Sequence, residues 1–336
     1  MIYPWHSQAA SALHSRQGRL PHALLFCGPE GIGKLAFAEA LAGALLCERA
    51  GTSGACGKCA SCGWMGQGSH PDLRRLEPEI LSESPDPEEN SEKKKPSLEI
   101  KIDQVRDIAG FIAMTSHHGG AKVVLIRPAE TLNINAANAL LKNLEEPPAG
   151  TYFLLVAHRW HQLLPTIRSR CERVMLPAPD REAARRWLAE QRLVDADLAL
   201  AQAGGAPLLA LQFDEAYWRH REMLFKAIGV SGFDPLRAAE QLRDSAPALI
   251  ISLLQKWAFD LAWHKVTGKV RFNPDHSAGI AATAGRLDLI ATLRFQRHMV
   301  GLQRIALHPL NARLFLEQLL LDYAGLLRGQ RVAAVA

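Results

Sequence analysis

The sequence predicts an α/β domain on a parallel sheet, interrupted by a four-cysteine module and followed by a small helical domain and an all-α C-terminal domain. Three observations carry this reading. An apolar run, Ala23-Leu24-Leu25-Phe26-Cys27, stops at the glycine-rich loop Gly28-Pro29-Glu30-Gly31-Ile32-Gly33-Lys34. Strand-like and helix-like segments then alternate as far as residue 177, and beyond Pro177 and Pro179 the text turns to Ala, Leu and Arg at helical spacing. With 336 residues, of which 48% are apolar and 22% charged, the chain can bury two or three cores and lacks the bias of disordered, collagenous or coiled-coil chains.

The first run is apolar throughout, as a parallel strand covered on both faces must be. Lys34 to about Leu46 is expected as a helix with Leu35, Ala38, Leu41, Ala42 and Leu45 on its core face. A strand follows at Asp72 to Leu76. Residues 80–97 hold Ser, Glu, Pro, Asp and Lys with little to bury, so a mobile surface insertion is expected there, dividing the domain without ending it. Asp103 to Thr115 reads as a helix through Val105, Ile108, Ala109 and Ile112, and Lys122 to Arg127 as a strand. Asn133 to Glu145 is a helix stopped by Pro147 and Pro148, and Thr151 to Ala157 and Glu172 to Leu176 are strands. Units of this length imply right-handed crossovers with helices on both faces of the sheet. The α/β domain is placed at 1–177, the small helical domain at 178–216 and the third domain at 217–336, with a core stripe of Leu249, Ile250, Leu253, Leu254, Trp257 and Leu261. Leu314, Leu316, Leu319, Leu320 and Leu321 read as core or subunit contact.

The formal charge is +5, and because the stretch from Glu77 to Glu92 has seven acids and no base, the rest of the chain is more basic still. That balance permits nucleic acid or an acidic partner without requiring either. No apolar run approaches the ~20 residues of a membrane span, and Met1-Ile2-Tyr3-Pro4-Trp5-His6 lacks the layout of a signal peptide, so a cytoplasmic protein without membrane association is expected.

The loop from Gly28 to Lys34 matches G-x-x-x-x-G-K between a strand and a helix. Glycines let backbone N–H groups curl around a phosphate, and Lys34 supplies a charge for the outer phosphates. The next residue should carry a hydroxyl for Mg²⁺ but is Leu35. Where an active ATPase of this layout places two acids, after the strand from Lys122, this chain has Arg127 and Pro128, with only a displaced Glu130 nearby. Independent hydrolysis is therefore not expected, and neither ATP nor ADP is counted as a cofactor, although intact Gly28, Gly33 and Lys34 leave retention without turnover open.

Cys47, Cys56, Cys59 and Cys62, spaced C-x8-C-x2-C-x2-C among small residues, can make the all-sulfur shell of structural Zn²⁺, with no position left open for catalysis. Cys27 and Cys171 read as packed thiols, and His70 as an unneeded fifth candidate. One more residue stands out at Ser169-Arg170-Cys171: a guanidinium presented across an interface can stabilise charge on a transferred γ-phosphoryl group, worth ~10³–10⁵ in rate.

Taken together, His22-Ala23-Leu24-Leu25-Phe26, the cysteine spacing, the run from Ala137 through Leu144-Glu145-Glu146-Pro147-Pro148, and Thr166-Ile167-Arg168-Ser169-Arg170-Cys171 resemble the delta-prime type of bacterial DNA polymerase III clamp-loader subunits, in the AAA+ superfamily. The resemblance is strong over the first 177 residues and weaker beyond, chiefly through Leu310-Asn311-Ala312-Arg313-Leu314. It implies an AAA+ P-loop domain, a helical lid and a helical collar for oligomerisation. It also implies gamma or tau and delta subunits as partners in a five-membered ring of the polymerase holoenzyme, and contact with the sliding clamp and primer-template DNA through that complex. By the same resemblance the subunit does not hydrolyse ATP, Arg170 is the arginine finger offered to a neighbour's ATP, and the lid arginine of active relatives is missing near Gly205-Ala206-Pro207-Leu208-Leu209. Two other readings stand beside it: an autonomous AAA+ ATPase using Glu130 for metal, and a zinc-dependent nucleic-acid-binding module.

Overall fold

The computed structural model describes residues 2–16, 19–51, 54–82, 96–117, 120–229, 232–306 and 311–330, with the side chains of 304 and 305 left aside. Most of the 80–97 segment expected to be mobile, namely 83–95, lies outside the described residues. The chain falls into two compact units, Met1–Pro179 and Asp180–Ala336. Among the described residues no helix is long and apolar enough to cross a membrane.

The first unit is built on a five-stranded sheet: β1 (Ala23–Cys27), β2 (Leu73–Leu76), β3 (Lys122–Ile126), β4 (Thr151–Ala157) and β5 (Glu172–Met175). Their order is β2-β3-β4-β1-β5 and every pairing is parallel, with Leu24 beside Leu154 and Leu125 beside Leu154 from the other side. All five residues of β1 and of β3 are buried, which is why these strands read as unbroken apolar runs. At the sheet edge β5 alternates between half-buried and exposed positions, and a bidentate pair from Arg16 (2.5 and 2.8 Å) pins its first residue, Glu172.

Three helices of this unit match their expected spans closely: α2 (Lys34–Leu46), α4 (Ile102–Ala113) and α5 (Ile134–Glu145), the last capped by Asn133, whose side-chain oxygen accepts from Ala136 N–H at 2.8 Å. Their buried faces differ from expectation. On α2, Ala38, Leu41 and Ala42 are buried as expected, but Phe37, Ala44 and Leu46 are too, whereas Leu35 and Leu45 are only half-buried. This helix lies against three strands and against α3 (Ala60–Gly66), so it has no solvent face wide enough to define a stripe. On α4, Ala109 is exposed and Phe111 takes a core place, with the guanidinium of Arg74 4.6 Å from its ring centroid. Two helices carry no expectation from the sequence: α1 (Ser7–His14), rich in Ser and Ala, and α3, which starts inside the cysteine module. A single turn, α6 (Pro165–Arg168), leads into β5.

The second unit is helical among its described residues: α7 (Arg181–Glu190), α8 (Ala196–Gln202), α9 (Pro207–Ala210), α10 (Glu215–Ile228), α11 (Pro235–Gln241), α12 (Pro247–Thr267), α13 (Ser277–Arg286), α14 (Leu289–Ile305) and α15 (Ala312–Leu327). Its core gathers on α12, where Ile250, Leu253, Leu254, Trp257 and Leu261 are buried against α10, α13, α14 and α15, and Trp257 donates its indole N–H to Tyr323 Oη at 3.0 Å. The leucines near the end divide: Leu316, Leu319 and Leu320 are core, while Leu314 is 61% exposed.

A buried polar network runs through this apolar core. The carboxylate of Asp260, fully buried, accepts from the backbone N–H groups of Arg271, Phe272 and Asn273 and from Asn273 Nδ2, at 2.8 to 3.1 Å. Gln202 on α8 donates to Phe272 O (2.7 Å) and Asn273 Oδ1 (2.6 Å) and accepts from Tyr217 Oη (2.8 Å). Arg221 completes it with Asn273 and a bidentate pair to Asp275. Every member has at least one partner in the network, which makes burial of so many polar atoms tolerable, although Arg221 Nε itself has no partner among the described residues.

Candidate functional site

The loop from Gly28 to Lys34 leaves β1 at the carboxyl edge of the sheet and enters α2, where parallel α/β domains bind ligands. Gly31 and Gly33 have φ of 73° and 95°, a backbone that other residues adopt only with strain. Gly28 is required for a different reason: a Cβ there would lie 2.3 Å from the carbonyl oxygen of Leu176, just beyond β5. Part of the glycine signature therefore serves chain packing.

Groups of the chain itself engage the loop's polar atoms. Lys34 is 2% exposed and its Nζ donates to Pro29 O at 2.5 Å. Burial brings its pKa down to about 8, with Glu130 and Glu30 pulling the other way. The indole N–H of Trp5 donates to Ile32 O at 2.9 Å, with Tyr3 stacked on Trp5, and buried His6 meets Phe37 of α2 edge-on.

The positions that would hold metal in an active ATPase are filled otherwise. Leu35 offers no oxygen. Arg127, after β3, donates from Nε to Glu77 Oε2 at 2.6 Å. Glu130 accepts from the backbone N–H groups of His158 (2.9 Å) and Arg159 (2.9 Å), capping the turn after β4.

The four cysteines converge, and their Sγ atoms all lie within 4.8 Å of one another. Cys47 is 3.8 Å from Cys59 and 3.7 Å from Cys62, and Cys56 is 3.9 Å from Cys62. Sulfurs placed ~2.3 Å from a central zinc form a tetrahedron with edges of about 3.8 Å, so the residues fit a Cys₄ zinc shell. Backbone N–H groups of Cys56, Gly57 and Cys62 point at the sulfurs of Cys47, Cys62 and Cys59 at 3.3 to 3.4 Å, the kind of outer-shell donation that steadies thiolates. The four thiols do not ionise alike. Backbone donation from Lys58 and Cys59 lowers Cys56 to about 6, whereas burial, with the neighbouring thiols, raises Cys62 to about 12. A divalent cation would offset the repulsion of four thiolates. His70 is outside this group: its Nδ1 accepts from Asp72 N–H (3.0 Å), so Nε2 donates to Ser61 Oγ (2.7 Å), which donates to Leu46 O (2.6 Å), tying α3 to α2 and β2.

Arg170 sits between α6 and β5, its side chain 34% exposed. Nη1 donates to Thr166 O at 3.0 Å, and Nη2 pairs with Glu145 Oε1 at the end of α5. The structure thus brings together Gly28, Gly33 and Lys34 in one loop and Cys47, Cys56, Cys59 and Cys62 in one cluster, and sets Arg170 apart between α6 and β5. Sequence reasoning missed Glu77 and Glu145, the partners of Arg127 and Arg170; Glu145 stands inside the run Leu144-Glu145-Glu146-Pro147-Pro148, but nothing in that run says which charge it meets.

A parallel sheet with a glycine loop between its first strand and the next helix, followed by a helical unit, defines a P-loop-like α/β protein, here with a four-thiol module that can hold a metal ion. The sequence matches the family described as "DNA polymerase III, delta subunit" over residues 6–180. It is 37% identical to DNA polymerase III subunit delta' of Pseudomonas aeruginosa, over 97% of this chain and 98% of that protein, and 34% identical to the delta' subunit of Yersinia pestis, over 96% and 95%. DNA polymerase III subunit tau of Escherichia coli is 36% identical over 51% of this chain and 24% of its own length. The chain belongs to the DNA polymerase III subunit delta' family.

Proposed function

We propose that this chain is a non-hydrolysing clamp-loader subunit that contributes Arg170 to the ATP site of a neighbouring subunit. The observation that carries the reading is the contrast between two sites: Leu35 and the Arg127 pair with Glu77 leave the usual metal-holding positions without a free side-chain oxygen, while Arg170 is positioned and partly exposed just after α6. Without Mg²⁺ bridging the outer phosphates, Lys34 alone cannot neutralise the charge of phosphoryl transfer. An arginine from an adjacent chain can stabilise that charge on a neighbour's nucleotide.

In this reading the partners are gamma or tau and delta subunits, with which the chain would act on the sliding clamp and primer-template DNA in the cytoplasm. Residues 178–216 and 217–336 act as lid and collar, and the cysteines hold one structural zinc, for which the sulfur spacing is the support. The test is a reconstituted loader carrying Arg170→Ala. DNA-stimulated ATP hydrolysis should fall about a thousandfold at the affected site while the ring still assembles. Equal loss of assembly would make Arg170 a structural residue. Robust turnover by the isolated chain, abolished by Lys34→Ala, would restore the autonomous ATPase.

A further inference from the structure

We propose that Glu145 is the positioning residue of Arg170, holding the guanidinium ready for a neighbouring subunit's nucleotide; this rests on the reading of Arg170 given above. Glu145 is the last residue of α5, and a carboxylate there stands at the negative end of the helix dipole, where local electrostatics disfavour it. It is followed by a second acid, Glu146, and the basic residue of the last turn, Lys142, makes no ion pair with it among the described residues. The ion pair of Glu145 is with Arg170, whose Nη2 meets Glu145 Oε1. A residue that violates the local rule of its own helix and is compensated by a distant candidate functional residue marks a constraint from function.

The geometry suits positioning. The two backbones are fixed relative to each other, because Leu144 of α5 and Ile167 of α6 are buried in the same apolar cluster. His22 Nε2 holds the carbonyl of Leu144 at 2.9 Å, and Pro147 and Pro148 prevent α5 from continuing. On the arginine side, the amide of Arg170 donates to Ile167 O at 3.1 Å and closes α6, and Arg16 anchors Glu172 two residues on. Thr166 O and, more weakly at 3.4 Å, Ser169 Oγ accept from Nη1 and Glu145 takes Nη2, while Nε–H has no partner among the described residues. A guanidinium has five N–H bonds, so these three contacts hold its plane and leave donors for an incoming phosphate. Without the carboxylate, the arginine keeps its charge but regains rotamer freedom, and an oxyanion donor displaced by about 1 Å costs roughly a hundredfold in rate.

The test uses the reconstituted loader with Glu145→Ala, Glu145→Gln, Arg170→Ala and the double variant Glu145→Ala with Arg170→Ala, each assayed for kcat and KM of DNA-stimulated ATP hydrolysis. A residue acting through Arg170 on the transition state should lower kcat about ten- to a hundredfold in Glu145→Ala and leave KM for ATP unchanged. Glu145→Gln, which keeps an acceptor oxygen, should recover most of the loss, and the double variant should be no slower than Arg170→Ala. If Glu145→Ala fails to fold, the Gln variant alone carries the comparison, and kcat must then fall less than in Arg170→Ala but measurably, with KM unchanged. A wild-type or faster rate in Glu145→Ala, or losses that add in the double variant, overturns the proposal while leaving Arg170 intact as the finger. A wild-type rate in Arg170→Ala overturns both.

Discussion

Arg127 Nε lies 2.6 Å from Glu77 Oε2, joining the end of β3 to the residue after β2 across 50 positions of sequence. Both side chains are largely buried, so the pair is screened less than a surface salt bridge. An acid placed at 127 would meet Glu77 instead of a metal ion. Arg127→Asp should therefore destabilise the first unit by about 1–3 kcal/mol in chemical denaturation, and should not create ATP turnover. Turnover gained by that single change would show that the arginine alone silences the loop.

Lys34 makes stability depend on pH with a definite sign. Its folded pKa, about 8, is below its ordinary value of 10.5, so between those values the unfolded chain binds more protons than the native one. The penalty for burying the charge is complete below about pH 8 and is relieved as pH rises towards 10.5. Lys256, brought to about 8 by burial beside Arg221, contributes with the same sign in the second unit. Unfolding free energies measured across that window should show a positive slope that Lys34→Met reduces. An unchanged slope in Lys34→Met would place the ammonium in solvent.

Metal analysis of the purified protein should find about one zinc per chain, and metal titration of the stripped protein should release protons, because thiols such as Cys62 must ionise to bind. Cys59→Ala should abolish stoichiometric binding and expose the module to proteolysis. A folded, protease-resistant chain with no zinc would remove the site from consideration.

Asp260 is the acceptor for three backbone N–H groups and for Asn273 Nδ2 in a region closed to water. Asp260→Ala leaves those donors without a partner and should cost about 3–5 kcal/mol, with Asp260→Asn costing less because it keeps one acceptor oxygen. Equilibrium unfolding in urea reads both. A loss below about 1 kcal/mol for the Ala variant would mean that water replaces the carboxylate.

Sequence by itself determined the features whose cause is local. Two-sided burial of β1 and β3 requires apolar residues at every position, positive φ at Gly31 and Gly33 requires glycine, and four cysteines within sixteen residues can reach one point without help from the rest of the chain. The spans of α2, α5 and β4 were legible for the same reason. The apolar stripe of α12 was legible too, but only tertiary structure decided the limits of the buried face on α2 and α4 and which charges meet. Phe111 displaced Ala109 from the core of α4, and α2 lost its stripe, because neighbouring elements set the solvent boundary. Gly28 looked like a phosphate ligand and proved also to be a packing necessity against Leu176. Arg127 with Glu77, Arg170 with Glu145 and Asp260 with the 271–273 backbone are contacts through space between separate elements, and Coulomb attraction depends on that distance, not on position along the chain.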